Sequence, residues 1–495
     1  MAEPNGRDND PHTNPRNVAL VVLDTARARS VDPTTAPTLC RLADEGTAFS
    51  NAFATAPWTL PSHASLFTGL YASEHGTHGG HTYLDDDLRT LPGAFADAGY
   101  ETVGVSNNTW ITEEFGFDRG FETLRKGWQY IQSDADMGAV VRGENLREKL
   151  QATRERLFDG NPLVNATNIC YSELLQPAGD DGADRSTSWI ADWLSSRDDD
   201  RPFFLFCNYI EPHVTYDPPR EYADRFLPAD ADYQDAIAIR QDPRAYDCED
   251  YAITDREFAL LRGLYRAELA YVDDQLAALR TALEDADEWE ETLLIVCGDH
   301  GEHIGERDFF GHQYNLYDTL LHVPLIAHGG AFTGRGRRDD LVQLLDLPET
   351  LLEATGVDDP ALRGQSSGRS MYPQTAAEPR EAVFAEYVSP QPSIERLEDR
   401  FGEIPDRVRR FDRRLRAVRT REYKYVRADD GFERLHDLEA DPNERTDLAD
   451  DDPDRVRDLR GRLEARFDPL EDVGADGSVE MRAGTKERLA DLGYL

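Results

Sequence analysis

The stretch from residue 17 to residue 24 reads NVALVVLD, and the six residues from Val18 to Leu23 are all apolar. An uninterrupted apolar run of this length predicts a strand that is buried on both faces of a mainly parallel sheet. Similar runs predict strands at 102–105, 203–209, 292–297 and 323–327, and helical patterns lie at 258–283 and 341–355. This alternation predicts an α/β fold with a doubly wound, mainly parallel sheet flanked by helices.

The chain has 495 residues and is 39% hydrophobic, which is enough to bury a large core. Its pattern predicts a polar tail at 1–16, a main α/β domain at 17–380 and a smaller C-terminal α+β lobe at 381–495. The lobe is predicted from short strands at 383–387, 417–420 and 423–426 and from a charged helix at 453–467. Two stretches without a clear strand pattern, 128–185 and 230–255, are predicted to be insertions beside the ligand entrance.

Acidic residues outnumber basic residues by 96 to 54, so the formal net charge is -42. This charge argues against binding to nucleic acid or to an anionic membrane surface. Lysine occurs at only four positions and acidic runs recur along the chain, which predicts a protein from a high-salt-adapted cell. A disordered acidic protein is the alternative, but the recurring strand and helix patterns argue against it.

Five cysteines are scattered without paired spacing, which indicates reduced thiols and not a disulfide framework. The N-terminal residues do not combine a basic region with an apolar one, and no apolar run approaches the ~20 residues of a membrane span. The sequence therefore predicts a cytoplasmic protein without a membrane span. It leaves the oligomeric state open.

Polar residues directly follow several of the predicted strands. Asp24 ends the first strand, and Asp299 and His300 follow the strand at 292–297. In doubly wound sheets the ligand binds beyond the carboxyl ends of the strands. Each residue alone is more typical of a solvated loop, but two carboxylates and an imidazole together suit a divalent cation. The sequence predicts one such cation, with Mn, Zn, Ca and Mg as candidates.

The segment at 56–76 reads APWTLPSHASLFTGLYASEHG, in which Pro61 and the apolar residues that follow predict a helix. Thr59 then lies just ahead of the helix N-terminus, where backbone N–H groups and the helix dipole favour an anion. A hydroxyl beside that anion is a candidate nucleophile. An ordinary N-cap is the other interpretation of Thr59.

Six motifs, in the same order, resemble those of the sulfatase family within the alkaline phosphatase superfamily. They are LDTAR at 23–27 for D-D-x-R, TLPSH at 59–63 for C-x-P-S-R, PHVTY at 212–216, DHG at 299–301, YDTLLHVPLI at 317–326 and YKYVR at 423–427. The resemblance covers nearly the whole chain from Asn17. It implies a metal-dependent hydrolase that acts on a small anionic ester of sulfate or phosphate.

The resemblance also implies roles for single residues. It implies one divalent cation held by three side chains, Asp24, Asp299 and His300. Thr59 would contact this cation and attack sulfur or phosphorus in line, and water would then release the product. His63 and Lys424 would spread the charge of the transition state, and His213 or His312 would protonate the leaving oxygen. His312 has a second interpretation, as a ring that packs beneath its loop.

The chain departs from the family pattern at its nucleophile. Sulfatases carry at this position a Cys or Ser that is oxidised to formylglycine, and the threonine at position 59 cannot give that aldehyde. Thr25 replaces the second Asp of D-D-x-R, and His63 replaces the Arg of C-x-P-S-R. A Thr nucleophile with an Asp, Asp, His set resembles the phosphodiesterase and phosphotransferase relatives, so transfer to a hydroxylated acceptor is an alternative to hydrolysis. A non-catalytic binding protein on the same fold is a third hypothesis.

Overall fold

The computed structural model describes residues 16–129, 180–375 and 378–469, with a few isolated residues outside these ranges. Within them, nine strands form one mixed sheet in the order β11-β2-β10-β6-β1-β5-β3-β4, with β9 paired to β2. In chain order the strands are β1 (Asn17–Leu23), β2 (Thr47–Phe53), β3 (Glu101–Ser106), β4 (Thr123–Lys126), β5 (Phe203–Tyr209), β6 (Thr292–Gly298), β7 (His303–Ile304), β8 (Phe310–Gly311), β9 (His322–Val323), β10 (Leu325–His328), β11 (Gly336–Gln343), β12 (Val383–Tyr387), β13 (Leu415–Arg419), β14 (Tyr423–Ala428) and β15 (Glu433–Asp437).

Helices cover both faces of this sheet, which confirms the doubly wound architecture. Alternate residues of β1 belong to different hydrophobic clusters, because successive strand side chains point to opposite faces. One face packs on the helices Pro37–Glu45, Ala183–Ser196 and Asp255–Asp285, and the other on Thr59–Thr68, Leu91–Asp97 and Leu347–Thr355. The remaining helices of the described ranges are Ala72–His75, Arg220–Phe226, Tyr233–Ile237, Pro243–Asp247, Asp318–Leu321, Pro360–Gln365, Ile394–Phe401, Asp406–Arg409 and Pro453–Arg466.

The register of the central strands fixes the position of the strand ends. β1 pairs in parallel with both β5 and β6, and its last residue, Leu23, lies opposite Tyr209 and Gly298. The residues that follow these strands therefore emerge side by side at one edge of the sheet. This is the edge where ligands bind in open α/β sheets.

The C-terminal part of the described chain forms a smaller antiparallel sheet in the order β12-β13-β14-β15. The helix Pro453–Arg466 packs on one face of this sheet through Val456, Leu459 and Leu463. The other face contributes Ala385, Leu415 and other side chains to a hydrophobic cluster that also contains residues of the main sheet. The two sheets therefore share a continuous apolar core.

Two predicted elements differ from the structure. The strand predicted at 323–327 is split by Pro324 into β9 and β10, which run antiparallel to their neighbours, because proline has no N–H for a strand ladder. The helix predicted at 341–355 begins only at Leu347, since residues 341–343 pair with β2 as the end of β11. The sequence analysis correctly identified an apolar run at 341–355, but pairing with β2 makes its first three residues part of a strand.

The two predicted insertions are only partly described. Most of 128–185 lies outside the described residues, whereas 230–255 contains two short helices and no strand among the residues described. No helix within the described ranges is both long enough and apolar enough to span a membrane.

Candidate active site

The residues that follow β1 and β6 form a compact polar cluster. Asp24 follows β1, and Asp299 and His300 follow β6; all three are fully buried. Their carboxylate oxygens and imidazole nitrogen lie within 4.8 Å of one another. The structure thus brings together the three residues that the sequence predicted as metal ligands.

Backbone groups orient the carboxylate of Asp299. Its Oδ1 accepts hydrogen bonds from the N–H of Thr25 at 3.1 Å and from the N–H of His300 at 2.8 Å. Its Oδ2 accepts none from the residues described. Thr25 has a φ of 59°, a left-handed conformation that is rare for a β-branched residue, and this strained backbone directs its N–H at Asp299.

The other two predicted ligands are also held by hydrogen bonds, one from a side chain and one to a backbone carbonyl. Asp24 accepts a hydrogen bond from Asn108 Nδ2 on Oδ2 at 2.6 Å, while its Oδ1 has no hydrogen-bond donor in the described part of the chain. His300 donates from Nδ1 to the carbonyl of Gly301 at 2.9 Å. The lone pair is then on Nε2, which lies 3.4 Å from Asp299 Oδ2 and 3.9 Å from Asp24 Oδ1.

The electrostatics of this cluster fit a bound cation. Burial raises the pKa of Asp24 well above its usual value, and the charge of Asp299 raises it further. Burial also raises the pKa of Asp299 to about 6, although His63 acts in the opposite direction. Two buried carboxylates with oxygens turned toward each other need positive charge to stay ionised. A divalent cation between two carboxylates and one imidazole supplies that charge, so the donor set fits the predicted metal.

Thr59 lies at the rim of the same cluster. The helix begins at Thr59 itself and not after it as predicted, and the residue is fully buried. Its Oγ1 lies 3.2 Å from His300 Nε2 and 3.5 Å from Asn108 Nδ2. Ser62, one turn into the helix, donates to the backbone carbonyl of Asp299 at 2.6 Å. This hydrogen bond connects the helix N-terminus to the loop that carries Asp299 and His300.

His63 lies one helical turn after Thr59 and beneath it. Its Nδ1 donates to the backbone carbonyl of Thr59 at 3.0 Å and lies 3.6 Å from Asp299 Oδ2. Burial lowers the pKa of His63, with Asp299 opposing that shift. The neutral ring packs edge-on against Phe206, and its polar contacts are with the backbone of Thr59 and with Asp299.

Three histidine rings lie in a row on the other side of the cluster. The ring of His312 is 4.6 Å from that of His300 and 5.0 Å from that of His213, measured between centroids. Glu302 accepts a hydrogen bond from His312 Nδ1 at 2.9 Å and another from Tyr216. The structure therefore places both predicted proton donors near the predicted metal ligands.

Lys424 forms its ion pairs with two carboxylates outside this cluster. Its fully buried ammonium contacts Asp318 at 2.8 Å and Glu444 at 2.6 Å, at the junction between β14 and the main domain. Glu444 also accepts the N–H of Asp318 at 2.7 Å. These contacts belong to a buried ion cluster that joins the two sheets, and they do not include the residues around Thr59.

Two residues of the site were missed by the sequence reasoning. Asn108 bridges Asp24 and Thr59, and Glu302 holds His312. Asn108 stands just after the carboxyl end of β3, so the strand-end rule would have found it. That rule did point to the segment from Asn208 to His213 at the end of β5, and Asn208 lies beside Asp24 and lowers its pKa, although burial outweighs this effect.

Comparison with known proteins agrees with this geometry. The profile described as "Sulfatase" matches residues 16–357, which is more than half of the chain. The chain belongs to the sulfatase family. A second profile, described as the C-terminal region of N-sulphoglucosamine sulphohydrolase, matches residues 305–472. Membership in this family makes the chain an ester hydrolase.

Individual sulfatase-family proteins match over most of their length. The chain is 23% identical to an arylsulfatase of Clostridium perfringens over 93% of this chain and 96% of the relative. It is 24% identical to the choline-sulfatase of Rhizobium meliloti, over 88% and 82%. The phosphonate monoester hydrolase of Agrobacterium radiobacter superposes with a TM-score of 0.67 and 21% identity, over 91% of this chain and 95% of that structure. These similarities confirm the predicted fold class.

Proposed function

We propose that this sulfatase-family chain hydrolyses a small anionic ester of phosphate or sulfate, with Thr59 as nucleophile at a single divalent cation. The observation that carries the proposal is the position of Thr59 Oγ1, 3.2 Å from His300 Nε2 at the edge of the Asp24, Asp299 and His300 cluster. A surface N-cap would not be fully buried beside such a cluster. The nucleophile interpretation therefore explains the position better than the capping interpretation, and the helix has no side-chain cap.

The proposed cation would be held by Asp24, Asp299 and His300. When bound, it would lower the pKa of the Thr59 hydroxyl and neutralise part of the negative charge of the ester. The protein's own contribution is to hold the ligands rigidly. The hydrogen bonds from Thr25, His300 and Asn108 leave one carboxylate oxygen of each Asp facing the site.

Thr59 would attack in line from the N-terminus of the helix that it begins. The positive end of the helix dipole favours a tetrahedral anion at this position. In the first step Oγ bonds to phosphorus or sulfur, the hydroxyl proton passes to Nε2 of a neutral histidine, and the bond to the leaving oxygen breaks as that oxygen takes up the proton. Asn108, bonded to both Asp24 and Thr59, keeps the hydroxyl at the cluster during this step.

The histidines would move the protons of the reaction. His312 donates from Nδ1 to Glu302, so its neutral ring carries the lone pair on Nε2, which would take up the proton released by Thr59 and pass it to the leaving oxygen. His213 donates from Nδ1 to the carbonyl of Val214 and is the second candidate for this role. Water then attacks phosphorus or sulfur, the bond to Thr59 Oγ breaks, and a proton returns to Oγ.

The identity of residue 59 favours phosphate over sulfate. A formylglycine hydrate can expel sulfate by carbon–oxygen cleavage, whereas a threonine ester must be opened by attack on phosphorus or sulfur. One structural relative is a phosphonate monoester hydrolase, so this fold accommodates a phosphorus centre. We infer that phosphate esters turn over faster than sulfate esters.

The test is kcat/KM for matched aryl phosphate and aryl sulfate esters. Thr59→Ala should lose several orders of magnitude in kcat while it retains the cation, and Thr59→Ser should keep much of the rate. A strong preference for sulfate that depends on Thr59 would overturn the phosphate assignment. Activity that does not change in Thr59→Ala would overturn the nucleophile assignment itself. Added alcohol reports transfer, because a transferase would form a new ester with it.

A further inference from the structure

A buried tyrosine on the helix Asp255–Asp285 contacts the turn that follows β1. Tyr265 lies in the first half of this helix and has no exposed surface. Its ring is nearly perpendicular to that of Tyr216, with 5.6 Å between centroids, and the guanidinium of Arg27 lies over its face at 4.5 Å. Because the ring is enclosed in this way, it has little room to turn, and the position of its hydroxyl is therefore well defined.

The hydroxyl of Tyr265 makes two hydrogen bonds, and both are to the backbone of the turn. It donates to the carbonyl of Thr25 at 2.9 Å and accepts the N–H of Arg27 at 3.0 Å. A phenol can do both, because it has one proton to donate and lone pairs that accept. The structure gives neither backbone group another partner among the residues it describes. Loss of the hydroxyl would thus leave two polar groups of a buried turn unsatisfied.

The residue held by this hydroxyl has an unusual backbone conformation. Thr25 has a φ of 59°, in the left-handed region that is unfavourable for a β-branched residue. Such a conformation persists only where the surrounding structure holds it. The hydroxyl of Tyr265 holds the carbonyl of Thr25, and the N–H of Ala26 closes the turn by donating to the carbonyl of Leu23 at 3.2 Å.

The N–H of the same residue reaches the predicted metal ligands. It donates to Asp299 Oδ1 at 3.1 Å, while Asp299 Oδ2 has no donor in the described part of the chain. The carbonyl of Thr25 is therefore bonded to Tyr265, and its N–H to Asp299. A change of backbone conformation at position 25 would turn this N–H away from the carboxylate, so the hydroxyl of Tyr265 and the carboxylate of Asp299 are linked through one residue.

We propose that Tyr265 is a positioning residue of the active site: its hydroxyl holds Thr25 in the left-handed conformation, and Thr25 in turn orients the Asp299 carboxylate toward the cation. This inference rests on the proposed function, because the cation is the one proposed there. Tyr265 acts through Thr25 and contributes no atom to the cation. Partners of this kind set the affinity of a metal site by keeping its ligands in one orientation.

Simple packing is the alternative role for Tyr265. Its ring belongs to a hydrophobic cluster with Phe258 and Leu261 of the same helix. Packing depends on the ring and positioning on the hydroxyl, so Tyr265→Phe separates the two roles. Tyr271→Phe is the matched control on the same helix, because Tyr271 is also buried and its hydroxyl donates to Asp180 at 2.8 Å, outside the metal-ligand cluster.

The probe is Mn²⁺, titrated calorimetrically into the full chain after treatment with a chelator. Tyr265→Phe should weaken Mn²⁺ binding about ten- to hundredfold, as is usual when the partner of a metal ligand is lost. Tyr271→Phe should bind Mn²⁺ like the wild type. Turnover that Tyr265→Phe loses at limiting Mn²⁺ should return when the Mn²⁺ concentration is raised in proportion, because all the proposed ligands are still present.

Substitutions at position 25 test the route of the effect. Glycine adopts positive φ without a β-carbon, so in a Thr25→Gly background Tyr265→Phe should weaken Mn²⁺ binding only about threefold or less. Valine lacks the hydroxyl but is still β-branched, so in a Thr25→Val background the full effect should remain. The readout is the ratio of the dissociation constants with and without Tyr265→Phe in each background, since this ratio cancels the effect of the position-25 substitution alone.

Hydrogen exchange gives a second readout that needs no cation. In the chelator-treated protein, the peptide that carries residues 24–27 should exchange faster in Tyr265→Phe than in the wild type. The reason is that the N–H groups of Thr25 and Arg27 lose the hydrogen bonds that protect them. Tyr271→Phe should leave the exchange of this peptide unchanged.

The outcomes are distinct. If Tyr265→Phe binds Mn²⁺ as tightly as the wild type, or if Tyr271→Phe weakens binding equally, Tyr265 does not position the site. If the effect of Tyr265→Phe is equal in the Thr25→Gly and Thr25→Val backgrounds, it does not pass through the backbone of Thr25. Failure of the proposed function is seen separately, as absence of turnover with every aryl ester in a wild type that binds Mn²⁺.

Discussion

Replacement of Lys424 with methionine tests whether this residue acts in folding or in catalysis. Its buried ammonium is shared by Asp318 and Glu444. Glu444 is 2% exposed, so Lys424→Met leaves a buried carboxylate without its cation. Loss of one partner from a buried ion pair costs about 3–5 kcal/mol. Arg419, 3.1 Å from Asp318, retains part of the stabilisation. We therefore expect the free energy of unfolding to fall by about 3 kcal/mol.

The assay is denaturant unfolding in molar salt, together with kcat measured well below both unfolding transitions. Folded Lys424→Met should keep a kcat close to that of the wild type. Glu444→Gln is the matched control: it removes one charge, leaves Lys424 bonded to Asp318, and should cost only about 1 kcal/mol. If Lys424→Met unfolds like the wild type but loses kcat by two orders of magnitude, the structural interpretation is wrong and the transition-state role predicted from the sequence is correct.

Three further predictions concern cation binding at the Asp299 site, the salt dependence that the net charge of the protein implies, and the pH dependence of one largely buried carboxylate. Asp299→Ala should lose both the bound cation and turnover, because too few donors remain; Asp358→Ala, at an exposed carboxylate, should lose neither when cation content is measured by elemental analysis. The thermal midpoint should fall on dilution from molar to millimolar salt, since a charge of -42 repels itself when the Debye length grows from ~3 Å at 1 M to ~10 Å at 0.1 M; a constant midpoint would contradict high-salt adaptation. Burial opposes ionisation of Glu306, but Arg27 and Arg29 hold the pKa of its carboxyl group at about 2. At pH values above the unfolded pKa of ~4.3, the ionised carboxylate therefore stabilises the folded protein by about 3 kcal/mol. This stabilisation is lost as the pH falls toward 2. Glu306→Gln should therefore be less stable than the wild type at pH 6, with a difference that narrows below pH 4; a difference independent of pH would rule out this linkage.

The sequence predicted the parts of the fold and site that depend on local pattern. Asp24 was found because an apolar run ends on it, and Thr59 because a helical pattern begins beside it. β2, with the sequence TAFSNAF, was missed, since small and polar residues interrupt its apolar pattern and pairing with β9, β10 and β11 defines it. Lys424 was placed by motif alone, and its partners Asp318 and Glu444 are distant in sequence. Contacts of that kind depend on how the two sheets pack together.

Three of the departures from the sulfatase motifs lie around the loop that carries Asp299, a proposed metal ligand, and two of them compensate one another in charge. Thr25, at the position of the second Asp, donates its N–H to Asp299 Oδ1, and His63, at the position of the Arg, places Nδ1 3.6 Å from Asp299 Oδ2. The first departure removes one negative charge. The second removes one positive charge, because burial keeps His63 neutral. Thr59, the third departure, lies 3.2 Å from His300, the residue next to Asp299. The first two changes cancel in charge, and the third removes the aldehyde route. A covalent ester on the Thr59 hydroxyl is then the route that remains for an active centre, and loss of turnover in Thr59→Ala tests it.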